Sequence, residues 1–199
     1  MKFIDSSKLD EALSFLDARL QMKDSEPQRL VVCGGSALIA SKLITRATQD
    51  VDIVALMDEK GVLVDPHPLP PALLKAASEV ARILGLTDDW LNDGPSRGEG
   101  GLFQMGLPKG FVSRLLQKEY GRRLTVYFAG RIDQIHFKLY AAVDRGGYHI
   151  SDLVALNPEE GELKLAANWA MTHDVSPAFR QGMKSLLREL GYEQVAENI

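Results

Sequence analysis

The apolar positions alternate between two periods along this chain. From Lys8 to Met22 they follow a helical repeat, with Leu9, Leu13, Phe15, Leu16 and Leu20 largely on one side. Leu30-Val31-Val32-Cys33 is a short apolar run that reads as a strand and ends at Gly34-Gly35-Ser36. The stretch Ala37 to Thr48 is long enough for one three-turn helix at about 3.6 residues per turn. Asp50-Val51-Asp52 then opens a second strand, Ile53-Val54-Ala55-Leu56. Pro66 to Pro71 is extended, and Pro71 suits the first turn of a helix over Ala72 to Leu84. Thr87 to Gly101 is rich in Gly and Asp and reads as a loop, with Trp90 as its apolar anchor. Helical character returns over Val112 to Glu119. Leu124 to Phe128 is a strand, and Asp133 to Arg145 is a helix. Pro158 to His173 and Pro177 to Leu190 form two closing helices, each opened by proline. The predicted class is α/β (α+β): a small mixed sheet with helices around it. Residues 1–157 form the core, and residues 158–199 a helical part expected to pack on it.

The order strand, Gly-rich turn, helix, strand with two carboxylates carries the chemistry. A helix starting at Ser36 aims free backbone N–H groups and a partial positive charge at the Gly-Gly turn, where a phosphate fits. Two glycines let a ligand approach the backbone closely, since no Cβ intervenes. Side chains on a strand alternate, so Asp50 and Asp52 share one face while Val51 and Ile53 turn to the core. Converging carboxylates form a hard oxygen site suited to Mg²⁺ bridging to substrate phosphates.

Gly34-Gly35-Ser36 followed by Asp50-Val51-Asp52-Ile53 resembles the signature of the nucleotidyltransferase fold shared with DNA polymerase β. Lys138-Leu139-Tyr140-Ala141-Ala142-Val143-Asp144-Arg145, then Ser151-Asp152-Leu153, resembles the later motifs of AbiEii-type nucleotidyltransferase toxins and their uncharacterised relatives. Asp89-Trp90-Leu91-Asn92-Asp93 is similar to the same relatives, and the resemblance covers residues 28–157. It implies a nucleotidyltransferase-like core in which Gly35 and Ser36, with Gly34 in the same turn, hold the β- and γ-phosphates of a nucleoside triphosphate. Asp50 and Asp52 would ligate Mg²⁺ or Mn²⁺. Lys138 would meet a phosphate as a point charge. Asp152 would lie near the acceptor, as a base or as an orienter of Lys138. Arg145 would anchor the Lys138 helix or Asp152. The implied reaction moves a nucleoside monophosphate to a hydroxyl, such as one on RNA, with pyrophosphate leaving. The implied setting is toxin-like or defence-related, with a cognate partner protein.

One departure matters. Many members of the wider fold place a third carboxylate on a later central strand, and Leu124-Thr125-Val126-Tyr127-Phe128 contains no acid. Asp133 follows at a helix start, where capping is its expected role. An active two-acid enzyme, a nucleotide-binding pseudoenzyme and an interaction scaffold of a toxin–antitoxin pair therefore all remain open.

Composition narrows the setting without choosing the chemistry. A chain of 199 residues with 45% hydrophobic content can bury a sizeable core, and a single cysteine precludes an internal disulfide. No apolar run reaches membrane-spanning length, no signal-peptide pattern opens the chain, and a cytoplasmic protein is expected. The net charge of −4 argues against broad nucleic-acid binding. Arg46 precedes the Asp pair and is a candidate phosphate contact. Lys109, Arg114, Lys118, Arg122 and Arg123 read first as a solvated helix face and second as an RNA-facing cluster. His67, His136, His149 and His173 lack metal-ligand spacing and read as structural.

Overall fold

In the computed structural model, which describes residues 3–199, a mixed sheet is flanked by helices, the α+β arrangement expected. The chain divides into two compact units, Met1–Gly130 and Arg131–Ile199. This division puts the helix carrying Lys138, grouped above with the first 157 residues, in the second unit. Among the described residues, no helix is long and apolar enough to cross a membrane.

The first unit is built on β1 (Gln28–Cys33), β2 (Val51–Met57), β3 (Leu63–Val64), β4 (Leu91–Asn92), β5 (Leu116–Glu119) and β6 (Leu124–Phe128). Their order is β3-β2-β1-β6-β5, with β4 also paired to β2. β1 runs antiparallel to β2 and parallel to β6. Alternation assigns the faces: Leu30, Val32, Val51, Ile53, Leu124, Val126 and Phe128 join one core cluster. The cluster is completed by α1 (Ser6–Met22), through Leu9, Leu13, Leu16 and Leu20, and by α3 (Pro71–Leu84), through Leu73 and Val80. The β1–β2 register slips by one between Val31 and Val32, so Val54 is an extra residue in β2. The Ser96 hydroxyl donates to the Val54 carbonyl at 2.7 Å, satisfying the group that the bulge displaces.

Two expected elements differ. The three-turn helix over Ala37 to Thr48 is instead α2 (Gly34–Ala40). It ends early because the Leu43 N–H donates to the Leu38 carbonyl at 2.9 Å and the Lys42 N–H to Ile39 at 3.0 Å. That is a Schellman closure, with Lys42 left-handed at φ 57°. The released chain then forms a two-bond bridge, Ile4 N–H to Thr48 O at 2.7 Å and Thr48 N–H to Ile4 O at 2.9 Å. The helix expected over Val112 to Glu119 is a 3₁₀ turn, Phe111–Arg114, followed by β5. Antiparallel pairing of β5 with β6 overrides local preference there. The basic cluster is consequently not one helix face: Lys118 pairs with Asp10 at 2.6 Å and Arg123 with Asp24.

The first unit also has a short helix, α4 (Leu102–Met105), and the second contains α5 (Arg131–Arg145), α6 (Tyr148–Ala155), α7 (Glu160–His173), α8 (Pro177–Glu189) and α9 (Glu193–Glu197). Arg131 joins three of them. Its guanidinium donates to the Leu156 and Asn157 carbonyls beyond α6 at 2.9 and 2.8 Å, and to both Glu162 oxygens in α7 at 2.6 and 3.0 Å. Glu162 also accepts from the Glu159 N–H in a capping box. The Arg131 charge and its hydrogen bonds hold the Glu162 carboxyl below the ordinary range. Trp169 is half-buried between His136, Phe137, Tyr140 and His173.

Lys42 is exposed and has a conformation that costs a side-chain-bearing residue about 1 kcal/mol or more. Lys42→Gly should therefore stabilise the protein by about 1 kcal/mol. A higher urea midpoint with an unchanged slope is the expected result. An unchanged or lower midpoint would contradict it.

Candidate functional site

The C-terminal end of β1 places the first site residues. Cys33 is the ladder partner of Asp52, so the residue after Cys33 turns directly across the Asp52 side chain. Gly34 makes this possible in two ways. Its φ of +70° is left-handed, and a Cβ there would lie 2.6 Å from Asp52 Oδ2. Gly35 is constrained by the close approach alone. A Cβ on it would lie 2.7 Å from Thr48 Oγ1 and 3.5 Å from an Arg46 guanidinium nitrogen. The fold thus gathers Gly34, Gly35, Arg46, Asp50 and Asp52 around one turn. Asp50 and Asp52 are half-buried, while Val51 and Ile53 are fully buried on the opposite side. This is the alternation expected from the sequence.

Ser36 and Arg46 sit differently from their sequence reading. The helix begins at Gly34 rather than Ser36. Ser36 is fully buried, and its hydroxyl donates to the Cys33 carbonyl at 3.3 Å. Arg46 lies outside the helix expected over Ala37 to Thr48, because α2 stops at Ala40. It lies in the connecting loop, and its guanidinium donates to the Ala47 carbonyl at 3.1 Å.

Two residues not singled out in the sequence complete this site. The Thr48 hydroxyl donates to Asp50 Oδ1 at 3.2 Å. Asn92 stands opposite Asp52 where β4 meets β2, with its side-chain nitrogen 3.4 Å from Asp52 Oδ1. Asn92 belongs to the Asp89–Asp93 run that carried part of the resemblance, which was the available signal. Thr48 had none, since its placement depends on the bridge to Ile4.

Continuing the parallel β1–β6 register by one residue brings Ala129 level with Cys33 and Asp52. Ala129, which carries no carboxylate, is therefore the β6-side residue nearest in register to Asp52. Asp133, by contrast, is buried in the first turn of α5. Among the described residues, no group of three or more His, Cys, Asp or Glu side chains is placed to hold a metal ion. The Asp pair still fits Mg²⁺, which commonly takes one or two carboxylates and completes its shell with water and substrate phosphates.

The loop after α3 is well anchored. Trp90 is fully buried and its indole N–H donates to the Ala77 carbonyl at 2.9 Å. Asp93 is almost fully buried, with His67 Nδ1 2.7 Å from one oxygen and Arg97 Nε 2.6 Å from the other. Burial raises the Asp93 pKa, but the hydrogen bonds from His67 and Arg97 outweigh it and leave the carboxyl below its ordinary value.

In the helical unit, Lys138 and Asp152 form a buried ion pair at 2.8 Å, with side chains 5% and 2% exposed. The Tyr148 ring lies 5.6 Å from the Lys138 ammonium. Arg145 is exposed at the end of α5, and its carboxylate neighbour is Asp144 at 3.5 Å. No protein-family model, no curated protein and no solved structure matches this chain.

Removing one member of the buried pair leaves an uncompensated charge. Lys138→Met should destabilise the protein by about 3–5 kcal/mol, and Lys138→Met with Asp152→Leu should recover most of that loss. Chemical unfolding of the single and double variants checks this, and a double variant no more stable than the single one would contradict it. The Asp93 shift sets a pH dependence. Its folded pKa lies below the unfolded one, so its contribution is full above the ordinary value of about 3.9 and is lost as pH falls through the folded value. Acidification from about pH 5 to pH 2 should cost the wild type more stability than Asp93→Asn. Equal losses in urea titrations would show that the carboxylate contributes nothing there.

Proposed function

We propose that this chain is a metal-dependent nucleotidyltransferase that moves a nucleoside monophosphate from a nucleoside triphosphate to a hydroxyl acceptor. The observation that carries this reading is the approach of Asp52 to the Gly34 turn, with Asp50 bonded to the Thr48 hydroxyl beside Gly35. A turn without side chains, a carboxylate pair and the Arg46 guanidinium meet there. Asp50 and Asp52 would hold Mg²⁺ or Mn²⁺, which supplies charge neutralisation at the phosphates. Gly34 and Gly35 leave the backbone open to phosphate oxygens. Arg46 lies beside Gly35, where its charge would favour the same anion. In the helical unit, the 2.8 Å pair supports the orienting role for Asp152 rather than that of a base, since its carboxylate is already bound to Lys138. An RNA acceptor and a toxin-like role with a cognate protein partner are the corresponding proposals for context.

The second reading is a pseudoenzyme that binds nucleotide without turnover, and Ala129 level with the Asp pair favours it. Binding and turnover separate the two. Thermal unfolding with each nucleoside triphosphate and Mg²⁺ should show a rise that Asp52→Ala abolishes. At a hundred times the dissociation constant the gain is about 2.7 kcal/mol. Pyrophosphate release dependent on Asp52 identifies the enzyme, whereas binding without release identifies the pseudoenzyme. No rise with any nucleotide removes both.

A further inference from the structure

We infer that Thr48 and Asn92 are positioning residues that fix the two carboxylates of the metal site, one each. The inference rests on the metal reading of Asp50 and Asp52 proposed above. A two-acid site has few ligands, so the orientation of each carboxylate matters more than in a richer shell. Asp50 stands just ahead of β2, without ladder hydrogen bonds of its own strand to hold it. Thr48 supplies a fixed reference. Its backbone is locked to Ile4 by bonds of 2.7 and 2.9 Å, and the residue is 6% exposed. Its hydroxyl points at Asp50 Oδ1, and only a residue without Cβ at position 35 leaves room for that rotamer.

Asn92 performs the equivalent task from the other side. Its side-chain oxygen accepts from the Gly94 N–H at 2.7 Å. That bond decides which end of the amide faces which way, because a flipped amide would oppose two donors. The NH₂ end is therefore directed to Asp52 Oδ1 at 3.4 Å and the Asp89 carbonyl at 3.3 Å. The contact to Asp52 is long for a hydrogen bond, and a shift of a few tenths of an ångström in the carboxylate would bring it to ordinary length. Asp52 is thus confined between the Gly34 turn on one side and the Asn92 amide on another. Second-layer donors of this kind commonly change metal affinity by about 10–100-fold when removed.

Mn²⁺ binding followed by electron paramagnetic resonance provides a readout independent of turnover. The full chain, Thr48→Val, Thr48→Ser, Asn92→Ala and Asp52→Ala would be titrated with Mn²⁺ in the presence of the nucleoside triphosphate that stabilises the wild type most, and without any nucleotide. Free nucleotide binds Mn²⁺ too, so a protein-free titration sets the baseline. Thr48→Val and Asn92→Ala should each weaken protein-dependent binding by about 10–100-fold while unfolding cooperatively. Thr48→Ser should regain most of the affinity, because it restores the hydroxyl. Gly35→Ala should behave like Thr48→Val, since its methyl group displaces the same hydroxyl. Wild-type affinity in Thr48→Val and Asn92→Ala, with loss in Asp52→Ala, would overturn the positioning roles and leave the metal site standing. No protein-dependent Mn²⁺ binding by the wild type would overturn the metal reading and this inference together.

Discussion

The contact on which the site depends is the passage of the chain across Asp52 at the end of β1. Ladder pairing sets Cys33 against Asp52, and the next residue must turn over the carboxylate. Only a residue with no side chain and a left-handed backbone can do so at this separation. Everything nearby follows from that passage. α2 starts at the turn, its early closure frees the loop that carries Arg46 and Thr48, and Thr48 returns to the N-terminal segment through Ile4. The Val54 bulge lets the far end of β2 pair with β3 without shifting the register at Asp52.

Strands β1, β2 and β6 and the two acids were legible because they rest on short-range rules, whereas β3 and β4 lie in stretches that read as connections. Alternation in Val51, Asp52 and Ile53 needs only a strand, and the Gly-Gly pair needs only a turn. The termination of α2 was not legible. Lys42 in a left-handed conformation carries no sequence signal, since Gly or Asn would ordinarily mark such a cap. β5 was misread as helix for a related reason. All its residues are exposed, so it lacks a buried alternating pattern, and pairing with β6 decides its conformation. Thr48 and Asn92 were invisible as site residues because each reaches its carboxylate through a neighbouring element. The Lys138 and Asp152 relation was legible from their place in the resemblance, but the exposure of Arg145 depends on where α5 ends.

The helical unit uses a different economy of polar groups. Arg131 saturates carbonyls at the end of α6 and a carboxylate in the first turn of α7 with one planar side chain. Five fixed donors suit this role where a lysine would not. The Lys138–Asp152 pair is more deeply buried and has a heavier desolvation cost. Retaining such a pair is weak support for stability alone. It is consistent with a requirement for charge at that place.

The two tryptophans of the chain fall one in each unit, and their surroundings are opposites. Trp90 is sealed in an aliphatic core with its N–H on a backbone carbonyl, whereas Trp169 stands half-exposed against two imidazole rings. Their fluorescence should therefore differ in colour, because Trp169 is partly open to solvent and Trp90 is not. Each unit accordingly contains its own optical reporter. With one indole replaced by phenylalanine, the other reveals whether the sheet and the helices melt as a single cooperative body or in sequence.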